Sequence, residues 1–580
     1  MADELGLGRE MRPFCRLLRN EAISLSLSEV CTTAYVQAAL PATSFLQGVE
    51  PIPSLVTANA VRNFTVNGGS TALSTSNRDF CNVTFTYART GRSDKVNLWF
   101  YLPSPDQFQN RFLATGGGGL AITSGERALT GGLVYGAATG TTDGGFGGWR
   151  NDLSTVLLRA DGTLNYDMLF AYGYTAIHEM TLLGKELTRK FYASSNPSPE
   201  KFYSYYQGCS EGGREGFSQI QRYGPIFDGV ALGAPAFRQA FLQVAHLFPP
   251  VAENTLGYWP SPCELDKINT DAIKACDGLD GLVDGVVSRT DLCKLHHNAS
   301  SSVGTPYNCP ASTNRGVTSP AAQGTVTEKA VKIAETIWDG LKDSKGRQVY
   351  ISTPLSANFA DATTTFNSTT GKYEAVAGGI GLQYVNLFLK EIRSSTLSLQ
   401  GVTYDTLRSW ILDGMRKFGD TLQTNWPDLE DFRAGGGKIV HWHGEADSSI
   451  PAASSLLYHD AVRKIMYPGA GYNESFAKLN EWYRFFLVPG AGHCGPNAQQ
   501  ANGPFPQDVL GSVIDWVEKG VNPSRLNATV QAGLAKGEQQ GLCSWPLRPL
   551  WKEGRLDCVY HQESVDSWLP KLDSIPVPVY

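Results

Sequence analysis

The chain has 580 residues, of which 49 are Lys or Arg and 55 are Asp or Glu, and its formal net charge is −6. This balance provides no global basic field that would attract nucleic acid or an anionic membrane. Hydrophobic residues make up 42% of the chain and aromatic residues 11%, which excludes a disordered protein. Charged residues make up only 18%, a composition typical of a secreted glycoprotein.

The first segment of the chain, residues 1–29, is predicted to be an N-terminal extension. It carries scattered charged side chains and no apolar run of signal-peptide length, so we expect that the signal region is missing or that the start is misassigned. Nowhere does the chain contain a run of about 18 apolar residues, so no transmembrane helix is expected. A cytosolic protein is the alternative to secretion.

Apolar, β-rich runs bounded by Gly, Pro or Asp predict buried strands. They lie at residues 96–102, 112–114, 203–206, 230–232, 439–443 and 485–488, and helical patterns lie at 166–192 and 508–519. Strands that alternate with helices predict a parallel sheet with crossover helices. We assign this α/β catalytic domain to residues 30–248 and 401–580.

The middle of the chain, residues 249–400, has a different character. It carries four cysteines and Ser-, Thr- and Gly-rich loops, and it has few strand signals. We predict that it is an inserted domain, a lid that covers the sheet.

Ten of the 11 cysteines follow residue 30, and an even set in such a chain indicates disulfide bonds and an oxidising compartment. Cys15 falls outside the predicted catalytic domain. The candidates for disulfide bonds are Cys31, Cys81, Cys209, Cys263, Cys276, Cys293, Cys309, Cys494, Cys543 and Cys558. The pairing of Cys263 and Cys309 is left open.

Six N-x-S/T sequons also favour secretion, although the three-residue pattern recurs by chance. The potential glycosylation sites are Asn63, Asn82, Asn298, Asn367, Asn473 and Asn527.

A G-x-S-x-G motif at Gly208, Ser210 and Gly212 follows a predicted strand and precedes a helical pattern. This order is typical of a nucleophile elbow, a tight strand-to-helix turn that exposes a serine hydroxyl. The pattern alone is weak, because a plain Gly-rich turn would match it as well. A thiol nucleophile at Cys209 is a second alternative, but the elbow places Ser210 at its apex.

Two further segments complete a candidate triad. Asp447 follows the predicted strand at 439–443, and His493 lies between glycine and cysteine after the strand at 485–488. The order Ser, Asp, His along the chain is that of α/β-hydrolases. Ser210 would attack an acyl carbon, His493 would take its proton, and Asp447 would hold the imidazole. A turn aspartate and a loop histidine are the alternatives.

The oxyanion hole requires two backbone N–H donors. One is expected from Glu211, the residue after the nucleophile, and the other from the Gly-rich loop that follows the strand at 112–114. Within that loop we choose Gly118. A phosphate-binding loop is disfavoured, since no G-K-[ST] follows the glycines.

The combination of G-C-S-E-G-G, G-H-C and H-G-E-x-D-x-x-I-P resembles the fungal tannase and feruloyl esterase family, from about residue 30 to residue 580. Segments 263–268, 287–293, 523–529 and 545–551 resemble its tannase branch most. The resemblance implies an α/β-hydrolase fold with a large lid, a Ser-His-Asp triad, and a disulfide between the residues beside Ser and His, here Cys209 and Cys494. It also implies hydrolysis of galloyl ester and depside bonds, with release of gallic acid through an acyl-enzyme.

A run of aspartates in the insertion suits Ca²⁺, which prefers hard oxygen ligands, although a solvated turn is the alternative on sequence alone. The resemblance implies a structural calcium in the lid. By position, Asp277, Asp280 and Asp284 would provide side chains, Leu282 and Val286 would provide carbonyls, and a bond from Cys276 to Cys293 would close the loop.

Other histidines carry little signal. His178-Glu179 lacks the second histidine of a zinc-protease motif, because Leu182 occupies that position. His441 and His443 alternate on a strand and could bind a metal, but packing or hydrogen bonding is the more common role.

The sequence therefore predicts a secreted serine esterase that acts on plant polyphenol esters and needs no cofactor for catalysis. A feruloyl esterase, with the same machinery and a hydroxycinnamoyl pocket, is the first alternative. A noncatalytic, calcium-stabilised glycoprotein that binds polyphenols or cell-wall glycans is the second.

Overall fold

In the computed structural model, which describes residues 25–66, 76–92, 94–195, 201–314 and 317–575, the first part of the chain alternates between strands and helices. The strands are β1 (Val49–Val66), β2 (Ser76–Arg89), β3 (Lys95–Pro103), β4 (Arg111–Thr115), β5 (Ala137–Thr142), β6 (Tyr203–Cys209) and β7 (Gly229–Gly233). The helices are α1 (Leu27–Val30), α2 (Thr33–Ala39), α3 (Glu126–Leu133), α4 (Leu153–Val156), α5 (Tyr166–Phe170), α6 (Ala176–Tyr192), α7 (Glu211–Tyr223) and α8 (Gln239–Ala245). A π-helical turn, Ala171–Thr175, joins α5 to α6.

The following part of the chain has short strands and helices of mixed length. The helices are α9 (Phe248–Leu256), α10 (Pro262–Cys276), α11 (Thr290–His296), α12 (Glu328–Asp339) and α13 (Gly379–Gln383), and 3-10 turns lie at Asp277–Asp280 and Ala299–Ser302. A second π-helical segment, Tyr384–Leu389, follows α13. The strands form two-stranded ribbons: β8 (Pro306–Cys309), β9 (Ser312–Asn314), β10 (Val317–Ser319), β11 (Ala322–Thr325), β12 (Thr364–Asn367) and β13 (Lys372–Ala375). The limits assigned to the lid from the sequence, residues 249 and 400, remain a prediction.

The last part of the chain returns to the central sheet. Its strands are β14 (Lys438–Gly444), β15 (Tyr483–Val488), β16 (Pro504–Pro506), β17 (Arg525–Val530), β18 (Gln539–Cys543), β19 (Arg548–Lys552) and β20 (Arg555–Val559). Its helices are α14 (Tyr404–Phe418), α15 (Glu430–Ala434), α16 (Ala452–Met466), α17 (Tyr472–Leu479), α18 (Val509–Lys519) and α19 (Gln562–Trp568), with a 3-10 turn at Ala498–Gln500.

The central sheet has nine strands in the order β1-β2-β3-β5-β4-β6-β7-β14-β15. Neighbouring strands are antiparallel from β1 to β5 and parallel from β5 to β15. Parallel strands bring their carboxyl ends to one edge, where the loops after β4, β6, β14 and β15 meet. The predicted α/β-hydrolase architecture is confirmed.

Strand β5 was not predicted, because its sequence, A-A-T-G-T-T, lacks the apolar run expected of a buried strand. All six of its residues are nevertheless buried between β3 and β4. Gly140 admits a close approach there, since a Cβ at this position would lie 2.5 Å from the Phe100 ring. Small residues in β5 thus make room for large rings from the neighbouring strand.

The ten cysteines predicted to form disulfides do so. The bonds are Cys31–Cys81, Cys209–Cys494, Cys263–Cys309, Cys276–Cys293 and Cys543–Cys558. Residues 1–24 of the predicted extension, Cys15 included, lie outside the described residues. No helix in the described ranges combines the length and apolar character needed to cross a membrane.

A buried ion network fastens α11 and the C-terminal region to the end of β14. The Arg548 guanidinium donates to Glu445 Oε2 at 2.6 Å and to Asp291 Oδ1 at 3.1 Å, and Arg289 also pairs with Asp291. Burial opposes ionisation of Asp291, but Arg548 and Arg289 more than offset it and lower its pKa to about 2. Glu445 lies two residues before Asp447, so this network anchors the loop that carries the candidate acid.

Candidate active site

Ser210 stands at a sharp turn between β6 and α7. Its backbone has φ 63° and ψ −123°, a strained conformation for a residue with a Cβ. Its N–H donates to the Gly233 carbonyl at 3.0 Å, which fastens the turn to β7. Glycine is required on both sides: a Cβ on Gly208 would lie 2.4 Å from the Gly212 carbonyl oxygen. This geometry is that of a nucleophile elbow.

The structure brings Ser210, His493 and Asp447 together in one hydrogen-bonded chain. His493 Nε2 lies 2.9 Å from Ser210 Oγ, and His493 Nδ1 lies 2.8 Å from Asp447 Oδ2. The three residues follow β6, β15 and β14, whose carboxyl ends share one edge of the sheet. Asp447 is fully buried, whereas the His493 side chain is 28% exposed and can meet a substrate. This arrangement can generate a nucleophilic serine.

The charges in this chain favour an ionised acid beside the histidine. Burial opposes ionisation of Asp447, but the His493 and His443 imidazoles more than offset it and hold the pKa of Asp447 well below its usual range. Burial likewise opposes protonation of His493, but the Asp447 carboxylate raises the pKa of His493 above its ordinary value. An imidazolium formed when His493 takes a proton is therefore stabilised by Asp447.

The cysteines next to the serine and the histidine are bonded to each other. Cys209 and Cys494 have their Cα atoms 6.1 Å apart, and the bond ties the nucleophile elbow to the histidine loop. Because its sulfur is in a disulfide, Cys209 is not a thiol nucleophile in this structure.

The oxyanion-hole prediction needs one correction. The choice of Gly118 as a donor to the oxyanion was wrong, because its N–H already donates to the Ala121 carbonyl at 3.0 Å. Gly119 lines the same pocket as Ser210 and Glu211, and its carbonyl is anchored by the Tyr172 hydroxyl at 2.7 Å. Glu211 stands in the first turn of α7, where backbone N–H groups have no helical acceptor. Gly119 and Glu211 are thus the candidates.

Buried charges beneath the Gly-rich loop were missed by the sequence analysis. Glu215 Oε2 accepts from the Gly117 N–H at 2.9 Å, and Arg214 Nε donates to Glu211 Oε1 at 2.7 Å. Burial and the neighbouring Glu211 raise the pKa of Glu215 well above its ordinary value. The sequence did contain a signal for this cluster, because Glu211, Arg214 and Glu215 are charged residues in a Gly-rich helical segment, and charged side chains that become buried require partners.

A pocket opens at Ser210 and His493. Leu242, Ile380 and Ile450 provide its apolar wall, and His246 and Ser449 provide polar groups. Among the residues that the structure describes, no tryptophan or tyrosine lines this pocket. An adjoining cavity shares Leu242, His246 and Ser449 with this pocket and contains Phe248, Phe359 and Asp361. His246 Nδ1 lies 2.7 Å from Asp361 Oδ2.

The aspartates of the predicted calcium site surround one turn closed by the Cys276–Cys293 bond. Asp277 Oδ1 accepts from the N–H groups of Asp284 and Gly285, and Asp280 Oδ1 accepts from the Leu282 N–H. Burial and the neighbouring carboxylates raise the pKa of Asp284 to about 6. Among the residues that the structure describes, no three His, Cys, Asp or Glu side chains form a group that could hold a metal ion by themselves. The calcium site stays a prediction.

The three other histidines that the sequence singled out, His178, His441 and His443, are engaged in packing or hydrogen bonds. The His178 ring stacks on Tyr223 at 3.5 Å between centroids. His441 and His443 are both fully buried, and His443 Nε2 contacts Asp447.

Comparison with known proteins places the chain among esterases. The profile of the family "Tannase and feruloyl esterase" matches residues 81–565. The tannase of Aspergillus oryzae is 46% identical over 96% of this chain and 97% of its own length. A probable feruloyl esterase of Arthroderma benhamiae is 32% identical over 82% of this chain and 84% of its own. The solved structure of the tannin acyl hydrolase from Aspergillus niger is 50% identical, with a TM-score of 0.93 over 96% of this chain and 99% of that chain.

Proposed function

Because the chain belongs to the tannase and feruloyl esterase family and is a carboxylic ester hydrolase, we propose that it hydrolyses galloyl ester and depside bonds of hydrolysable tannins and releases gallic acid. The observation that carries the proposal is the hydrogen-bonded chain from Ser210 through His493 to Asp447 at the mouth of a pocket. The similarity to a tannase over nearly the whole chain favours galloyl esters as substrates.

The reaction proceeds through an acyl-enzyme. Ser210 Oγ attacks the ester carbonyl carbon while His493 Nε2 takes the hydroxyl proton. The resulting oxyanion accepts hydrogen bonds from the N–H groups of Glu211 and Gly119. The C–O bond to the alcohol then breaks, the alcohol leaves with the proton from His493, and the galloyl group stays on Ser210. His493 then takes a proton from water, which attacks the galloyl carbonyl carbon. The C–O bond to Ser210 breaks, Ser210 Oγ takes the proton back from His493, and gallic acid departs.

We expect kcat/KM for methyl gallate to exceed that for methyl ferulate by at least about 10-fold. The Asp361 carboxylate in the adjoining cavity, 27% exposed, can accept a hydrogen bond from a ring hydroxyl. Gallate offers three such hydroxyls, whereas ferulate has one hydroxyl and a methoxy group that cannot donate. The measurement is the initial rate on both esters at equal enzyme concentration.

Methyl 3,4,5-trimethoxybenzoate is the matched control, because it keeps the ring and its attachment but has no hydroxyl to donate. We expect it to be a poor substrate. A higher kcat/KM for ferulate would move the protein to the feruloyl esterase branch, which the similarity to the Arthroderma benhamiae protein supports, and would leave the fold and the triad as proposed.

A structural calcium ion is part of the proposal. Burial and neighbouring carboxylates raise the pKa of Asp280 and of Asp284, and a divalent cation bound between these side chains would favour their ionised form. Asp277, Asp280 and Asp284 would hold the ion with their side chains, and Leu282 and Val286 would do so with their carbonyl oxygens. The ion would stabilise the turn, since the reaction requires only groups of the triad and the oxyanion hole.

We expect EDTA to lower the melting temperature and added Ca²⁺ to restore it. A ligand present at about 100 times its Kd adds about 2.7 kcal/mol of stability. Asp280→Asn should melt at the lower temperature with or without EDTA, whereas Asp161→Asn, at an exposed turn, should behave as the wild type. A wild-type melting curve that EDTA does not change would rule out the calcium site.

Secretion is proposed from the covalent structure. Five disulfides require an oxidising compartment. Four potential glycosylation sites are exposed, namely Asn63, Asn298, Asn473 and Asn527, and the other two, Asn82 and Asn367, are partly buried. A noncatalytic binding glycoprotein is not favoured, because the family consists of esterases.

A further inference from the structure

The candidate acid Asp447 has a second imidazole neighbour besides His493. His443 Nε2 lies 3.1 Å from Asp447 Oδ2, the same oxygen that His493 Nδ1 meets at 2.8 Å. The other oxygen, Oδ1, accepts from the N–H groups of Ser449 and Ile450 at 2.8 and 2.9 Å. Four donors therefore surround one buried carboxylate, two on each oxygen.

The two neighbours of His443 Nε2 determine that this nitrogen carries a hydrogen. His443 Nε2 contacts the Asp447 carboxylate and, at 3.0 Å, the Ile450 carbonyl oxygen. Since both neighbours can only accept, Nε2 must carry a hydrogen. His443 therefore donates to Asp447.

A chain of buried polar groups continues behind His443. Its Nδ1 lies 2.8 Å from Ser455 Oγ, which lies 3.0 Å from His441 Nε2, and His441 Nδ1 lies 2.8 Å from the Tyr483 hydroxyl. The chain thus connects β14, α16 and β15. A singly protonated His443 has an acceptor at Nδ1, and the Ser455 hydroxyl then donates to it.

Successive side chains of a strand point to opposite faces of the sheet, and this alternation explains how β14 contributes two histidines to the chain of polar groups. His441 and His443 point to the same face of the sheet, toward α16, while Trp442 points to the opposite face and packs on Phe505. All four side chains, His441, His443, Ser455 and Tyr483, are fully buried. Such buried polar networks are expensive unless every member is satisfied, and a network of this kind fixes one geometry.

We infer that His443 is a positioning residue of the proposed hydrolysis, which holds the Asp447 carboxylate in the orientation that aligns His493 with Ser210. The inference rests on the proposed function. An aspartate can rotate about its Cα–Cβ and Cβ–Cγ bonds, and Oδ2 must face His493 for the triad to work. His443 holds Oδ2 in this orientation, and Ser455 holds His443 through its Nδ1.

The test compares three variants of the full-length enzyme. His443→Leu removes the donor to Asp447, His443→Gln retains an amide N–H that can reach the same oxygen, and Ser455→Ala breaks the chain one step behind. Loss of a hydrogen bond to a charged group is expected to lower kcat about 10- to 100-fold. We expect this fall in His443→Leu with KM nearly unchanged, a smaller fall in Ser455→Ala, and a rate within a few-fold of wild type in His443→Gln.

The pH profile of kcat/KM provides a readout that simple destabilisation would not move. His493 must be unprotonated to act as a base, so activity falls as the pH drops through its pKa. Without the His443 donor, more of the Asp447 charge is available to His493, and the acid limb should move to higher pH. His443 on β14 faces Asp447. The other titratable groups that line the pocket with His493 are Glu211, which is paired with Arg214, and His246, which is paired with Asp361.

The outcomes separate this inference from the proposed function. A His443→Leu kcat within twofold of wild type would overturn the inference, and so would equal losses of kcat and melting temperature in His443→Leu and His443→Gln. If His443→Leu fails to fold, the Ser455→Ala variant decides instead, and a wild-type rate together with a wild-type pH profile in that variant overturns the inference. Full activity of Ser210→Ala would instead refute the proposed mechanism itself.

Discussion

Replacement of Ser210 by Ala is expected to leave a folded protein that has lost ester hydrolysis. Removal of a nucleophilic serine from such a triad costs about 10⁴-fold or more in kcat, because the remaining groups provide only binding and oxyanion stabilisation. The fold should persist, since Ser210 is fastened by its backbone N–H to Gly233 rather than by its side chain. The measurement is kcat on methyl gallate together with the melting temperature.

Labelling by a fluorophosphonate probe makes this test independent of the substrate. The wild type should be labelled and Ser210→Ala should not. Ser218→Ala is the matched control, because Ser218 lies on the same helix and is buried, but its hydroxyl donates to the Gly173 carbonyl away from the pocket. Labelling and activity should persist in the control. Hydrolysis by Ser210→Ala at a rate near that of the wild type would refute the triad.

The sequence could predict the groups whose geometry is set by a few neighbouring residues. Ser210 was found because glycines on both sides of a serine, between a strand and a helix, specify a tight turn. Asp447 and His493 were found because each follows an apolar strand, and parallel strands bring their ends to one edge. Local pattern therefore predicted the order of elements and the members of the candidate triad.

Other parts of the site depend on contacts between distant segments. Four consecutive glycines follow β4, and Gly118 is distinguished from Gly119 by the bond from its N–H to Ala121 and by the place of Gly119 in the pocket. The Glu215 carboxylate reaches Gly117 across 98 residues of chain. The contact between His443 and Asp447 was foreseeable only in part: their four-residue spacing was visible, but the turn that folds Asp447 back onto β14 was not.

Removal of the Cys209–Cys494 bond is expected to lower both stability and activity. In the chain-entropy description, a bond across 285 residues contributes about 5–6 kcal/mol, an upper value that residual structure in the unfolded chain reduces. Activity should fall as well, because Cys494 follows His493 directly and has a backbone φ of 56°, a conformation that few residues other than glycine adopt. Without the bond, the loop that carries His493 can relax.

The Cys543–Cys558 bond offers a matched control for this double variant. It spans 15 residues and lies between β18 and β20, and it contributes about 3 kcal/mol in the same description. Cys543→Ala/Cys558→Ala should lower the melting temperature and leave kcat at low temperature unchanged, whereas Cys209→Ala/Cys494→Ala should lower both. An equal kcat in the two double variants would mean that the bond beside the triad serves stability alone. A selective loss of kcat would mean that the same bond that stabilises the chain also keeps His493 within reach of Ser210.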